Sequence, residues 1–331
     1  MLLRVALWGP LLLAGLLAGG YIYLHDPFAR DGTELLQVPL SEVDPSLTQV
    51  GDLKYLGGLD IPRMGQNIGG LSGLRWDAES GRLLAITDDA RWVWITPEEA
   101  EGRLTGITDI KSGPLLGEGG EPLSGKAKGD SESLTSVIDQ GWAVGFERDH
   151  RILVYKKLDQ EPQRLNVDVV DLLGPLEENM GLEALAISVS TQISCAERQT
   201  LPGRPNCMAS FDGGELQPLY ANPPETVRKL GAIPTDADTL SDGTALILFR
   251  SYDPANGNSG AIVSFGPDNA RRELLVLAPP LTVDNFEGLA VREEGVGEDR
   301  RTFLYIVSDD NFSGSQRTLL MKFELLAKPA N

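Results

Sequence analysis

Acidic residues recur at the start of short apolar runs along this chain. The runs follow one another at intervals of about 50 residues, a spacing typical of repeats built from strands. A polar residue opens each run, and the opening residues are Ser72, Glu132, Glu183, Asp238 and Glu287. If the fold brings the four acids together, their oxygens suit a divalent cation, with Ca²⁺ as the first choice. Each acid could instead cap a turn in its own loop, so their convergence is an expectation for the structure to test.

Three arginines accompany the acids near the predicted strand ends, namely Arg148 in FERDHRI, Arg250 in LFRSYD and Arg317 in SGSQRTLL. A guanidinium group binds phosphate or carboxylate through two parallel hydrogen bonds. Beside a bound cation that polarises a phosphoryl or acyl oxygen, such arginines could hold an anionic ester. The same side chains could equally form structural ion pairs between neighbouring sheets, and the sequence leaves both interpretations open.

Composition excludes several other kinds of chemistry. The formal charge of −19 argues against binding of nucleic acid, whose phosphates need a basic surface. Only two histidines are present, too few for a histidine-rich transition-metal site. The GGLSGL segment around Ser72 lacks the last glycine of a GxSxG nucleophile motif. A cation site made of oxygen ligands remains compatible with this composition.

The elements that must position these residues read as short strands. Apolar or alternating runs bounded by Gly, Asp, Asn and Pro include RLLAITDD, GWAVGFERD, TALILFRSYD and TFLYIVSDD. Their recurrence predicts an all-β β-propeller with about six blades, in which the innermost strands carry the acids toward one axis. We expect TLLMKFEL (318–325) to pair with KYLGGLDI (54–61) and close the ring. Two packed β-sandwich domains are the alternative fold.

The N-terminus differs from the rest of the chain. After Arg4 come 20 residues without a charge, long enough to cross a bilayer as a helix. This predicts a signal peptide or a signal anchor over residues 1–25, a linker over 26–44 and the propeller over 45–331. In both cases the domain lies outside the cytoplasm, either free in the periplasm or held at the inner membrane and facing the periplasm.

The two cysteines fit such a compartment. Cys195 and Cys207 flank a loop that contains glycine and two prolines and has no apolar pattern. In an oxidising space we expect them to form a disulfide, whereas two unrelated reduced thiols are the alternative.

Several segments together resemble the phytase-like family described as having esterase-like activity. The resemblance rests on IGGLSGLRWDAESGRLLAITDDARW (68–92), NMGLEALAI (179–187), SDGTALILFRSYDP (241–254) and VDNFEGLAV (283–291), among others. It extends over nearly all of the chain beyond about residue 50, and it implies a β-propeller that hydrolyses carboxylic or phosphoric esters.

The positions matched in this resemblance are Glu132, Arg148, Glu183, Arg250, Asn285, Glu287, Asn311 and Arg317. Among them we expect catalytic roles for Glu183, Glu287, Arg148 and Arg317. We expect substrate contacts from Arg250, Asn285 and Asn311, and metal ligation by Glu132, Glu183, Asp238 and Glu287. The function predicted is thus an exported esterase or phosphoesterase that acts on a small anionic ester. A non-catalytic propeller that binds a ligand or a protein, and a calcium-dependent lactonase-like enzyme, are the alternatives.

Overall fold

The computed structural model describes residues 34–62, 68–167, 169–198, 203–268 and 270–327. The described chain is almost entirely β-structure. Three strands come first, and they are β1 (Leu36–Gln37), β2 (Gln49–Val50) and β3 (Leu53–Ile61). Among the described residues, the short helices are α1 (Lys126–Gly129), α2 (Val169–Leu173) and α3 (Glu225–Arg228), and there is one 3₁₀ turn, Gly297–Asp299.

Five antiparallel sheets, called blades 1 to 5, contain the remaining strands. Blade 1 consists of β4 (Leu71–Asp77), β5 (Arg82–Thr87), β6 (Arg91–Ala100) and β7 (Arg103–Pro114). Blade 2 consists of β8 (Ser131–Val137), β9 (Gly141–Phe146), β10 (Arg151–Tyr155) and β11 (Gln163–Arg164). Blade 3 consists of β12 (Leu182–Ile187), β13 (Thr191–Ala196), β14 (Cys207–Phe211) and β15 (Gln217–Leu219). Blade 4 consists of β16 (Ile233–Thr239), β17 (Ala245–Asp253), β18 (Gly257–Phe265) and β19 (Arg271–Leu277).

Blade 5 joins the two ends of the propeller. It consists of β20 (Phe286–Glu294), β21 (Arg301–Ser308) and β22 (Thr318–Leu325), followed by β3 from the start of the domain. The register places Thr318 opposite Ile61 and Leu325 opposite Leu53. The predicted pairing of these two segments is therefore confirmed, and it removes the open sheet edges that an unclosed ring would leave.

The innermost strands form a ring around the axis. β4, β8, β12, β16 and β20 pack side by side in that order, and β20 packs against β4. Glycine permits the close approach at the closing contact. A Cβ on Gly288 would lie 2.8 Å from the Cβ of Leu74 and 2.7 Å from a methyl group of Val307. Buried apolar side chains fill the spaces between successive blades, as with Leu74, Ala290 and Leu320 between blades 5 and 1.

The all-β propeller class is confirmed, but the prediction of six blades is wrong because the described residues form five. The N-terminal strands β1 and β2 extend the sheet of blade 5 instead of starting a blade of their own. In addition, β6 and β7 are long, with 10 and 12 residues, and a loop containing α1 precedes blade 2. These additional residues account for the chain length from which the average repeat spacing had predicted a sixth blade.

The predicted disulfide is present. Cys195 of β13 and Cys207 of β14 lie directly opposite each other, with an S–S distance of 2.08 Å. The predicted N-terminal segment, residues 1–25, lies outside the described residues, and so do residues 26–33 of the predicted linker. Within the part of the chain that the structure describes, no helix is long and apolar enough to cross a membrane.

Candidate functional site

Each innermost strand carries a β-bulge close to its first residue. In all five blades the pairing with the second strand skips one residue of the inner strand. The skipped residues are Gly73, Glu132, Glu183, Thr235 and Glu287. A bulge leaves its residue out of the ladder and redirects the side chain. Three glutamates therefore occupy equivalent positions around the axis, at the same end of the ring.

A second set of acids lies at the same end of the blades. On the second strand of each blade, one residue pairs with the first residue of the innermost strand, and the position in question comes directly after it. The residues at these positions are Asp88, Glu147, Glu197, Ser251 and Asp309. Four of the five are carboxylates. Asp130, which directly precedes β8, lies beside them, and its main-chain oxygen accepts a hydrogen bond from the N–H of Glu147 (2.8 Å).

We call these eight acids the axial acidic cluster, and its members are Asp88, Asp130, Glu132, Glu147, Glu183, Glu197, Glu287 and Asp309. Electrostatic interactions connect them around the axis. Glu183 is repelled by Glu132, Glu147, Glu197 and Glu287. Asp309 interacts in the same way with Glu287 and with Asp88. The predicted convergence of Glu132, Glu183 and Glu287 is thus present in the structure.

Within this cluster, Asp130, Glu132 and Glu147 lie close enough together to hold one metal ion. One carboxylate oxygen from each lies within 4.8 Å of the others. Glu147 is held in place because it accepts a hydrogen bond of 2.6 Å from the N–H of Gly181. The donor set consists of oxygens only, which suits Ca²⁺ or Mg²⁺ better than a transition metal.

Two pairs of carboxyl groups in the cluster are close neighbours, Glu132 with Asp130 and Glu183 with Glu147. Burial raises the pKa of both Glu132 and Glu183 well above the usual value, and the surrounding carboxylates raise them further.

Burial also raises the pKa of two acids farther around the ring. The pKa of Glu287 rises to about 8, although its partner Arg250 opposes the increase. The pKa of Asp309 rises to about 7, and Asp88 contributes to the increase through repulsion. The cluster therefore retains protons at neutral pH that exposed carboxyl groups would release.

Three cations lie among these eight acids in the described chain. Lys126 bridges Asp88 and Asp130, with both N–O distances at 2.7 Å. The Nε of Arg148 lies 2.7 Å from the second oxygen of Asp130. Arg250 pairs with Glu287 at 2.5 Å. The acids outnumber the cations, so the cluster has an excess of negative charge that a divalent cation would reduce.

The two arginines have different settings. Arg148 adopts a left-handed backbone conformation (φ +60°), which is rare for a residue with a side chain and holds the guanidinium beside Asp130. Arg250 belongs to β17, and about a quarter of its side chain (27%) is exposed. Both side chains therefore combine an ion pair inside the cluster with a surface that solvent or a ligand can reach.

Asp238, which was also selected from the sequence, lies away from this cluster. Asp238 is in β16 beyond the bulge, where it accepts hydrogen bonds of 2.8 Å from the N–H groups of Thr239 and Val291. Its charged neighbours are Arg75 and Glu293, so it does not join the three glutamates. Thr235 occupies the equivalent position in blade 4.

Three more of the selected residues lie near the last blade. Arg317 pairs with Asp284 at 3.2 Å and reaches Glu42 at 3.6 Å. Asn285 is buried, and its main-chain oxygen accepts a hydrogen bond from the N–H of Asp309 (2.9 Å). Asn311 is exposed, and its side chain donates to Gln316. The roles in catalysis and substrate binding expected for these residues remain predictions.

A buried ion pair that the sequence did not suggest lies deeper along the axis. Arg75 of β4 and Asp236 of β16 are 3.0 Å apart, and both are buried. Arg75 also donates to the main-chain oxygens of Leu185 (2.7 Å) and Leu289 (2.9 Å). One arginine thus links four of the five innermost strands and fills the axis behind the acidic cluster. The only signal in the sequence was an arginine inside an apolar strand, which by itself names no partner.

The sequence predictions also did not include the second set of acids. Asp88, Glu147 and Asp309 each directly follow a strand, whereas the predicted acids open one. A signal was available, because ITDD, GFER and VSDD each place an acid directly after the second strand of a blade. Comparing the ends of strands as well as their starts would have found them.

Comparisons with known proteins give the following results. A family model described as "Phytase-like: Esterase-like activity of phytase" matches residues 66–312. None of the curated proteins compared matches this chain.

Three solved structures are similar over most of their length. The iodide structure of Trichoderma reesei Carbohydrate-Active Enzymes Family AA12 has 12% identity and a TM-score of 0.39, covering 89% of this chain and 96% of that one. The α-L-arabinofuranosidase PaAbf62A from Podospora anserina, in complex with cellotriose, has 9% identity and a TM-score of 0.42, with 85% and 98% covered. A hypothetical protein from Leishmania major has 9% identity and a TM-score of 0.37, with 79% and 87% covered.

Proposed function

This chain belongs to the phytase-like family described by esterase-like activity, and we propose that it hydrolyses an anionic ester at the axial acidic cluster with the help of a divalent cation. The observation that carries the proposal is the grouping of Asp130, Glu132 and Glu147, whose oxygens lie within 4.8 Å of one another. The disulfide supports a site of action outside the cytoplasm.

The residues present fit a Ca²⁺ ion. Asp130, Glu132 and Glu147 would hold it through carboxylate oxygens, and Glu183 lies next to them. When bound, such an ion supplies positive charge that polarises a phosphoryl or acyl oxygen and favours ionisation of water. The excess of acids over cations in the cluster gives a reason for the ion to bind, because it relieves their mutual repulsion.

The protein's own side chains would bind the substrate and handle protons. Arg148 and Arg250 present guanidinium groups at the margin of the cluster, where they can pair with the negative group of an ester. Burial and the neighbouring carboxylates raise the pKa of Glu183 well above its usual value, which favours its protonated form. A buried carboxyl group of this kind can pass its proton to the leaving oxygen of an ester, as a general acid does. Histidine is not required for this chemistry.

Calcium titration and ester turnover test the proposal on the full chain after treatment with a chelator. We expect saturable Ca²⁺ binding by calorimetry and calcium-dependent hydrolysis of p-nitrophenyl phosphate that exceeds hydrolysis of p-nitrophenyl acetate. Glu132→Gln should weaken Ca²⁺ binding about tenfold or more, since loss of about 1.4 kcal/mol has that effect. Glu225→Gln, on an exposed residue of α3, is the matched control and should change neither quantity.

The outcomes separate the candidate functions. Calcium binding without turnover of either ester would overturn the hydrolase and favour a non-catalytic propeller that binds a ligand. Turnover that a chelator does not reduce would overturn the role of the cation. Faster hydrolysis of the acetate than of the phosphate would assign the site to carboxylic esters.

A further inference from the structure

A pocket lined by tryptophans lies away from the axial acidic cluster, between the outer parts of blades 1 and 2. Its volume is about 270 Å³, and Trp92 and Trp94 of β6 and Trp142 of β9 form its walls. These are three of the five tryptophans in the chain. Trp142 precedes Glu147 by five residues along β9, or about 17 Å at the rise of a strand, so the pocket is separate from the cluster.

The indole rings form a rigid corner. The centroids of Trp94 and Trp142 are 5.9 Å apart, and their planes meet at 75°. Arg82 covers one face of Trp94 at 4.4 Å and fixes its orientation. Trp92 lies against Gly113, where a Cβ would come within 2.3 Å of the ring. The glycine therefore allows the indole to lie flat on the neighbouring strand, and the walls of the pocket are already in place before a ligand binds.

The rim of the pocket is basic, in contrast to the rest of the molecule. Lys156 and Lys157 are exposed at the rim, and neither forms an ion pair within the described chain. Asp159 is the only acid lining the pocket. In a chain with a net charge of −19, an anion would be repelled by most of the surface and attracted here.

We propose that this tryptophan pocket binds one ring of an anionic carbohydrate, such as a sugar acid or a sugar phosphate. The apolar face of a sugar ring would stack on the indoles, and the acidic group would meet Lys156 and Lys157. The volume, just below the range of about 300–1,000 Å³ for drug-sized ligands, suits a single ring. Exposed lysines at the rim place the outer edge of the ligand in water, which favours a sugar over an aromatic acid.

Tryptophan fluorescence of the full chain tests the proposal directly, because most of the indoles line the pocket. Titration with glucuronate and with glucose 6-phosphate should give a saturable change, whereas neutral glucose should bind at least about tenfold more weakly. Lys156→Glu and Lys157→Glu should each weaken the binding about tenfold, the loss expected for one charge-assisted hydrogen bond. Both lysines are exposed, so the variants should fold, and circular dichroism checks this.

Lys229→Glu is the matched control. It changes an exposed lysine in the loop that precedes blade 4, and the variant should bind the sugars as the parent does. Glucose binding as tightly as the charged sugars would overturn the role of the anion. Benzoate binding without either sugar would overturn the carbohydrate assignment. Absence of any saturable change, or equal loss in the Lys229 control, would overturn the pocket as a binding site.

Discussion

Replacing Glu183 by glutamine and replacing Glu287 by glutamine should change the stability of the calcium-free protein in opposite directions. Glu183 is surrounded by four carboxylates, and burial together with their repulsion raises its pKa well above the usual value. Glutamine is neutral at any pH, so it cannot add to this repulsion. The variant should therefore be more stable, and its advantage should grow by up to about 1.4 kcal/mol per pH unit over the range in which the folded parent keeps a proton that the unfolded chain has released.

Glu287 has a different environment, because Arg250 pairs with it at 2.5 Å. Removing one partner of a fully buried ion pair costs about 3–5 kcal/mol. The arginine side chain is 27% exposed, so water compensates part of that loss, and glutamine can still accept a hydrogen bond. We therefore expect Glu287→Gln to destabilise the protein by about 1–3 kcal/mol at pH 8.

Thermal unfolding of chelator-treated protein at pH 7, 8 and 9 measures both effects. One kcal/mol moves the melting temperature by about 2–4 °C in domains of 150–250 residues, and by somewhat less in a larger domain. Glu225→Gln, on an exposed residue, should stay within about 0.5 kcal/mol of the parent. If both cluster variants lose stability to the same extent, the acids act as structural caps and the reasoning from repulsion is refuted.

Three further predictions concern the stability of the fold. Burial raises the pKa of Asp309 to about 7 and that of Glu287 to about 8, so the folded state holds protons that the unfolded chain releases. The calcium-free protein should thus gain stability as the pH falls from about 8 to about 5, and a flat melting temperature over this window would contradict this. Reducing the disulfide should cost about 3 kcal/mol, measured as a lower melting temperature with reductant; an unchanged value would argue that the bridge contributes little. Arg75→Met should cost about 3–5 kcal/mol in denaturant unfolding because it leaves Asp236 unpaired, and adding Asp236→Asn should recover part of the loss; simple additivity would argue against coupling.

The recurrence of acids in the sequence corresponds to a real feature of the fold, although in blade 4 it pointed to Asp238, which does not lie at the equivalent position. Glu132 and Glu183 are one repeat of about 50 residues apart, Glu287 follows two repeats after Glu183, and the three strands they open all line the axis. The alternation of apolar and polar residues along these strands, and the turn residues between them, are local patterns. The sequence alone was therefore enough to predict an all-β propeller. The apolar terminal segments likewise predicted the closure of the ring by β3 and β22, because a propeller with an open edge leaves unpaired backbone groups.

The number of blades and the membership of the site required the tertiary structure. Whether β1 and β2 form a blade or extend one depends on pairing with β3, which also pairs with a strand about 260 residues later in the chain. In blade 4 the bulge selects Thr235, so Asp238 lies three positions farther along the strand and faces Arg75.

The position of each bulge is set by the register between strands, and a shift of one residue moves a side chain to a different face. The sequence lists the side chains on a strand, whereas the register decides which of them meet at the axis. The ion pair of Arg75 and Asp236 shows the same dependence, since its two residues are 161 positions apart and meet only when the ring of strands is complete.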